Sequence, residues 1–258
     1  MFNRHGLTLL ELVVVLTILA ALGGLVVPLI RGYQDQTSDA ASIDSLRELT
    51  KVVAEHEANT GRFPNNLESL LSGTSLFAKL PGSPDGNGDL IPLALNASQV
   101  DALEQKGLTT VLDANATPSA SATFDSVVVP PRTLAATGNV TSLDAGAVFR
   151  QLGKIPGTQP SSTGVPVPNL FVVFGFGRNA DIIGSLITEA PFRVPGIGNP
   201  NNIYCRYGLV FEIPGATAVG QDVSFVGAVA FDSHTENDGT VTGIRGVQSF
   251  AEDFYSSR

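Results

Sequence analysis

The longest apolar segment of the chain lies near its N-terminus. Residues 7–30 form a run of 24 residues in which Glu11 is the single charged residue. A helix of about 20 apolar residues spans the hydrocarbon core of a bilayer, whereas a cleaved secretory signal has a shorter apolar core of about 7–15 residues. Arg4 and His5 precede the segment, so the positive-inside rule places the N-terminus in the cytoplasm. The pattern predicts a single-pass membrane helix that leaves the rest of the chain outside the cytoplasm.

A second apolar pattern follows with helical spacing between Ser38 and Asn59. Its members recur every three or four residues and form one stripe along a helix, which is typical of a helix packed against a sheet. Gly61 comes where a glycine commonly ends a helix. The residues of the stripe are Ile43, Leu46, Leu49, Val52 and Val53.

The two apolar patterns together predict one long helix from Thr8 to about Asn59. Gly23 and Gly24 have low helix propensity, and Pro28 lacks a backbone donor, so we predict a break in this helix between Pro28 and Gly32. The weakened segment separates the membrane half of the helix from its amphipathic half.

The remainder of the chain reads mainly as strands and loops. A turn at Phe63 and Pro64 is predicted to lead into a short helix capped by Asn65 or Asn66. A second short helix is predicted with Ser98 as its N-cap. Strand-like runs occupy residues 124–129, 170–176, 203–213, 223–231 and 241–247. These patterns predict an α+β fold in which a long N-terminal helix packs on an antiparallel sheet, with an enlarged C-terminal β region.

Composition and charge narrow the classes of function. The 258 residues include 43% hydrophobic and 15% charged residues, with a net charge of −9. No Lys/Arg-rich run is present, so direct binding of nucleic acid is not expected. The single cysteine, Cys205, excludes an internal disulfide, and the three histidines do not lie at the spacing of metal ligands.

No sequence motif of a catalytic site is evident. The segment Gly175-Phe176-Gly177-Arg178-Asn179-Ala180 imitates a dinucleotide fingerprint, but no second βαβ unit surrounds it, so we interpret it as the end of a strand and a turn. His234 lies near acidic residues in a turn-like segment, which is more typical of a solvated turn than of a catalytic set. We therefore predict that the chain is not an enzyme.

Two acidic turns are candidates for calcium. Asp85, Asn87 and Asp89 place oxygen ligands at alternate positions, as calcium loops do, but Asn96 stands where such a loop has its bidentate Glu. A second acidic turn covers residues 232–239. Solvated turns are the simpler interpretation of both, and no other cofactor is predicted.

Residues 6–11, Gly-Leu-Thr-Leu-Leu-Glu, resemble the class III signal of type IV pilins and type II secretion pseudopilins. The resemblance implies that a prepilin peptidase cuts between Gly6 and Leu7 and methylates the new N-terminus at Leu7. Glu11 lies at the position of the assembly glutamate in this family, and Pro28 at that of its helix proline. The resemblance implies that the helix bends or melts near Pro28 when the subunit leaves the bilayer. One departure is Leu7 itself, where phenylalanine is usual.

The resemblance also implies an organisation and a set of partners. Residues 1–6 would be the leader, residues 7–30 the transmembrane and filament-core helix, and residues 31–258 the extracytoplasmic pilin-like part. The implied partners are the prepilin peptidase, other pilin or pseudopilin subunits, an inner-membrane assembly platform and the membrane itself. Physically, the amine created at Leu7 can pair with Glu11 of a neighbouring subunit inside an apolar filament core.

Two other functions are compatible with the sequence. A type IV pilus or DNA-uptake subunit would carry the same signal as a secretion pseudopilin. A membrane-anchored binding protein or enzyme would have an N-terminal helix as well, although a plain membrane anchor has no need for a carboxylate at the position of Glu11.

Overall fold

The computed structural model describes residues 9–77, 80, 89–114, 128–193, 204, 206–220, 222–235 and 241–256. Its four helices are α1 (Leu9–Thr60), α2 (Ala97–Gln105), α3 (Ala145–Leu152) and α4 (Val247–Ser256). The strands of the described residues are β1 (Leu67–Glu68), β2 (Leu71–Ser72), β3 (Ser75–Leu76), β4 (Leu90–Ala94), β5 (Thr110–Ala114), β6 (Val128–Thr133), β7 (Asn139–Leu143), β8 (Thr158–Pro160), β9 (Pro166–Pro168), β10 (Leu170–Gly175), β11 (Tyr207–Ile213), β12 (Ser224–Thr235) and β13 (Val241–Arg245).

Helix α1 uses its second half to pack on the rest of the protein. The predicted stripe is confirmed, because Ile43, Leu46, Leu49 and Val53 are buried in the main core. The helix ends at Thr60, and the next residue, Gly61, has a φ of 69°, which lies in the left-handed region that glycine adopts without strain. Its N–H donates to the Glu57 carbonyl at 2.7 Å and so satisfies one of the last free carbonyls of the helix.

The break predicted between Pro28 and Gly32 is wrong for this conformation. The backbone of α1 is helical without interruption from Leu9 to Thr60, a length of 52 residues. Proline removes one backbone donor and thus one hydrogen bond of the ladder, while the bonds of the flanking turns remain available to hold the helix. A change of direction here when the helix leaves a bilayer stays a prediction.

The strands form a nine-stranded, mainly antiparallel sheet in the described part of the chain. Its principal order is β13-β12-β11-β10-β1-β5-β6, and β1 and β5 are its parallel pair. The sheet forks at β10. Residues 171–173 of β10 pair with β7, which in turn pairs with β4, while Gly175 of β10 pairs with Glu68 of β1. The α+β class and the antiparallel sheet behind an N-terminal helix are therefore confirmed.

Most of the predicted strands are present, with shifted ends. The runs at 170–176, 203–213 and 241–247 contain β10, β11 and β13, and the run at 223–231 covers the first part of β12, which continues to Thr235. The run at 124–129 lies mostly outside the described residues, and β6 starts at Val128.

The short helix predicted after Asn65 or Asn66 is wrong. The chain forms the short strands β1 and β2 there, and Asn66 and Leu70 have φ values of 58° and 62°, which an α-helix does not tolerate. The side chain of Asn65 is used by the sheet instead, since its Oδ1 accepts from the backbone N–H groups of Thr109 and Thr110 at 3.1 and 3.0 Å.

Both faces of the sheet are covered. Alternate residues of β10 point to opposite faces, so Val172 and Phe174 join the core beneath α1 whereas Phe171 and Val173 join a second core. Helix α4 contributes Phe250 to the first core, and α3 contributes Ala147 and Val148 to the second.

Helix α2 begins two residues before the sequence prediction. Asn96, and not Ser98, is its N-cap: the Asn96 side chain accepts from the Gln99 N–H at 2.9 Å, and the Gln99 side chain accepts from the Asn96 N–H at 3.0 Å. Asn96 also donates to the carbonyl of Ala216 at 2.7 Å and thereby ties the helix to the loop after β11.

The cap makes a first testable prediction. Asn96→Ala is expected to lower the free energy of unfolding by about 1 kcal/mol or more, because it leaves helix donors without their cap. Ser98→Ala is the matched control and should cost clearly less, since Ser98 donates only to Asn96 Oδ1. Urea unfolding of the full chain measures both values, and an equal or larger effect of Ser98→Ala would contradict the assignment of the cap.

Candidate assembly segment and its seat on the globular part

The first half of α1 presents apolar side chains on all sides. Ten large apolar residues between Leu9 and Leu22 are between 48% and 82% exposed. A continuous apolar surface of this kind is unusual on a soluble monomer and marks a contact with membrane or protein. Within the helical residues whose side chains the structure describes, no stretch is both long and apolar enough to cross a membrane.

Glu11 is the acidic residue in the first turn of α1, and its side chain is exposed among these apolar residues. A carboxylate in such a position is well hydrated in water. Burial of the same surface against lipid or protein would be costly for the charged group without a cationic partner. Gly6 and Leu7 lie outside the described residues, so the geometry of the cleavage site and that of the pairing with Glu11 stay predictions.

Four charged side chains and one aromatic ring meet where α1 joins the globular part. We call Asp39, Arg193, Asp232, Arg245 and Phe250 the neck cluster. Arg193 contacts both carboxylates, at 2.6 Å to Asp232 Oδ2 and 3.2 Å to Asp39 Oδ1. Arg245 lies 3.6 Å from Asp232 Oδ2 and 3.7 Å from Asp39 Oδ1. Each cation is thus shared between two anions, and the four charges sum to zero.

The aromatic ring completes the neck cluster. The guanidinium carbon of Arg245 lies 3.9 Å from the centroid of the Phe250 ring, and that of Arg193 lies 5.0 Å from it. Both distances are within the range of cation–π attraction. The side chains of Arg193 and Arg245 are only 9% and 5% exposed, so the contacts are largely shielded from water. Sequence reasoning missed this cluster because its members are spread from residue 39 to residue 250.

Of the three candidate calcium ligands in the first acidic turn, the structure describes Asp89. Asp89 is buried, its Oδ1 lies 3.5 Å from Arg150, and its Oδ2 accepts from the Gly243 N–H at 3.1 Å. Calcium would have to compete with these partners for the carboxylate. Asp85 and Asn87 lie outside the described residues.

Among the residues that the structure describes, no three His, Cys, Asp or Glu side chains are grouped so that they could hold a metal ion. The second predicted acidic turn is wrong for residues 232–235, which belong to β12, and residues 236–240 are not described. Asp232 is part of the neck cluster. Calcium binding at either turn therefore stays a prediction.

The glycines that imitate a dinucleotide fingerprint make room for buried polar side chains. Strand β10 ends at Gly175, and a turn follows, as predicted. A Cβ on Gly177 would lie 1.8 Å from Glu68 Oε1, and one on Gly175 would lie 1.9 Å from the Tyr204 hydroxyl. Tyr204 donates to Glu68 Oε2, and Arg206 Nε lies 3.8 Å from Glu68 Oε1. The absence of side chains at Gly175 and Gly177 therefore leaves space for the buried polar cluster of Glu68, Tyr204 and Arg206 at the fork of the sheet.

Comparison with protein families adds one match. Residues 1–27 match the model of the prokaryotic N-terminal methylation motif. The chain carries a prepilin-type methylation signal. This class III signal includes Gly6, Leu7 and Glu11, and it is consistent with a type IV pilin-like protein or pseudopilin that a prepilin peptidase processes and that assembles with other pilin subunits. It suggests a structural subunit and not an enzyme. No curated protein and no solved structure gives a match to this prepilin-type chain.

Proposed function

We propose that the prepilin-type chain is a pseudopilin, a filament subunit of a type II secretion system. The observation that carries the proposal is the methylation motif at residues 1–27, which continues into an exposed apolar helix with a carboxylate in its first turn. A filament subunit needs an apolar surface that contacts lipid before assembly and other subunits afterwards. The first half of α1 has such a surface.

The proposed cycle uses the three parts of the chain in turn. Residues 1–6 are the leader, residues 7–30 hold the precursor in the inner membrane as a single pass, and residues 31–258 form the extracytoplasmic part. Cleavage after Gly6 creates an amine at Leu7, which is then methylated. In the filament this amine pairs with Glu11 of a neighbouring copy, and each charge neutralises the other in an apolar interior.

The same signal supports a second candidate. A type IV pilus or DNA-uptake subunit would be cut, methylated and assembled in the same way, and an inner-membrane assembly platform would drive either filament. A membrane-anchored binding protein or enzyme is a weaker candidate, because it requires neither the cleavage nor the carboxylate of Glu11.

Processing is the first test of the proposal. Protein isolated from cells with an active prepilin peptidase is expected to begin at Leu7 and to carry one methyl group on its N-terminal amine. Intact-mass measurement and sequencing of the N-terminal peptide establish both. Gly6→Val should leave the precursor uncut, because the peptidase acts after glycine in this motif. Gly23→Ala is the control and should be cut normally; a chain that retains Met1 would contradict the proposal.

A further inference from the structure

Asp39 is the residue of α1 in the neck cluster, and it lies on the same face of the helix as the apolar stripe. Asp39 precedes Ile43 by four residues, which is about one helical turn, and Ile43 is followed on that face by Leu46 and Leu49. The apolar contacts of the stripe attach α1 to the sheet. The charged contacts of Asp39 extend this attachment by one turn, toward the apolar half of the helix.

The contacts of Asp39 join α1 to segments that are distant along the chain. Asp39 contacts Arg193, which follows an isolated β-bridge at Phe192, and Arg245, which ends β13. Both arginines also contact Asp232 of β12. Shared ion pairs and hydrogen bonds between planar guanidinium groups and carboxylates are directional. The neck cluster therefore adds a directional restraint on the angle at which α1 leaves the globular part.

A small change of this angle has a large effect at the other end of the helix. In the uninterrupted helix that the structure shows, Glu11 and Asp39 are ~42 Å apart at about 1.5 Å per residue, so a tilt of about 10° at the neck moves Glu11 by ~7 Å. An ion pair requires its charged atoms to be within about 4 Å. A subunit with a loose neck would thus often hold Glu11 out of reach of its partner.

We propose that Asp39, Arg193, Asp232 and Arg245 are positioning residues, which fix the direction of α1 so that Glu11 meets the neighbouring copy of the chain. The restraint on the helix follows from the neck cluster itself, while its role in assembly rests on the proposed filament function. The residues act through α1 and do not contact the neighbouring copy's amine.

Asp39→Ala tests the restraint in the full chain. Alanine has a higher helix propensity than aspartate, so any loosening would not come from a weaker helix. Asp44→Ala is the matched control, with the same chemical change at an exposed position five residues further along α1. Hydrogen exchange in detergent micelles is expected to become about tenfold faster for amides 37–43 and for α4 in Asp39→Ala, with little change in β10 and β11. Asp44→Ala should leave all four segments unchanged.

Assembly is measured on the same variants by shearing and cross-linking of filaments at equal expression. Asp39→Ala is expected to lose most of its filaments, and Asp44→Ala to keep them. Unchanged exchange near Asp39, or equal acceleration over the whole chain, would overturn the restraint. Faster exchange with normal filaments would overturn the positioning role.

A second variant covers the case in which Asp39→Ala does not fold. Asp39→Ala combined with Arg193→Met removes one charge of each sign, and Asp232 keeps Arg245 as its partner. This variant leaves no excess buried charge but still frees α1 from the neck, so the same local acceleration and the same loss of filaments are expected. Wild type and Glu11→Ala separate the two proposals. Absence of filaments from the wild type would remove the filament function, and normal filaments of Glu11→Ala would remove the role of Glu11, whereas the exchange result at the neck would stand in both cases.

Discussion

Glu11→Ala is expected to abolish filament assembly while leaving the membrane insertion and the cleavage of the precursor intact. Insertion should persist because the loss of a charge makes residues 7–30 more apolar. Cleavage should persist because Gly6 and Leu7 are unchanged. Assembly should fail because the amine of Leu7 would enter an apolar interior without its partner, at a cost of several kcal/mol if it stays charged.

The measurement compares sheared or cross-linked filaments, and secretion, between the wild type and Glu11→Ala at equal expression. Glu55→Ala is a suitable control because Glu55 is an exposed glutamate on the same helix, outside the apolar half. Normal assembly of Glu11→Ala would remove the proposed role of Glu11, and absence of filaments from the wild type would favour the membrane-anchored alternative. A loss of assembly in both variants would point to general damage of α1.

Phe211→Ala is expected to destabilise the folded protein by about 3–5 kcal/mol, which is the usual range for a buried phenylalanine. Phe211 is fully buried in the core beneath α1 and lies at the centre of a group of aromatic rings. The distances between ring centroids are 4.9 Å to Phe63, 5.9 Å to Phe174 and 5.5 Å to Phe225. Its removal leaves a cavity and takes one partner from three aromatic pairs.

Phe149→Ala is the matched control, because Phe149 on α3 is 54% exposed and leaves no internal cavity when truncated. Its effect should stay within about 0.5 kcal/mol. Thermal unfolding of the full chain should show a fall in Tm of ~10 °C for Phe211→Ala and almost none for Phe149→Ala. Equal shifts would mean that Phe211 is not the centre of the core.

The sequence predicted those features that depend on short-range periodicity. The stripe from Ile43 to Val53 repeats with the helical period and is buried as expected. The strand runs were recognised from their apolar and β-branched residues, and the four that lie mainly in the described residues became β10 to β13. The prediction of a helix after Asn65 was wrong because a favourable cap residue does not show which distant partner its side chain will bind. Here the Asn65 side chain accepts hydrogen bonds from the backbone at the start of β5.

The residues of the candidate site also divide into a local motif, which the sequence can indicate, and a cluster of distant residues, which it cannot. Gly6, Leu7 and Glu11 form a local motif, so the sequence alone could predict their roles, and the family comparison matched the segment that contains them. The neck cluster depends on residues up to about 210 positions apart, and no local pattern marks Asp39 as different from Asp44. Long-range charge pairing of this kind becomes visible only when the fold is known.

The fork in the sheet provides positions where the globular part can accept additional strands or loops. Helix α1 makes its main contacts with α4 and β12, whereas the two branches leave the opposite edge of β10. One branch consists of β7 and β4, and the other of β1, β5 and β6. Strands or loops inserted into either branch would enlarge the outer surface without moving the seat of the helix. Subunits that share one filament lattice could therefore differ widely in the size of the surface that they display.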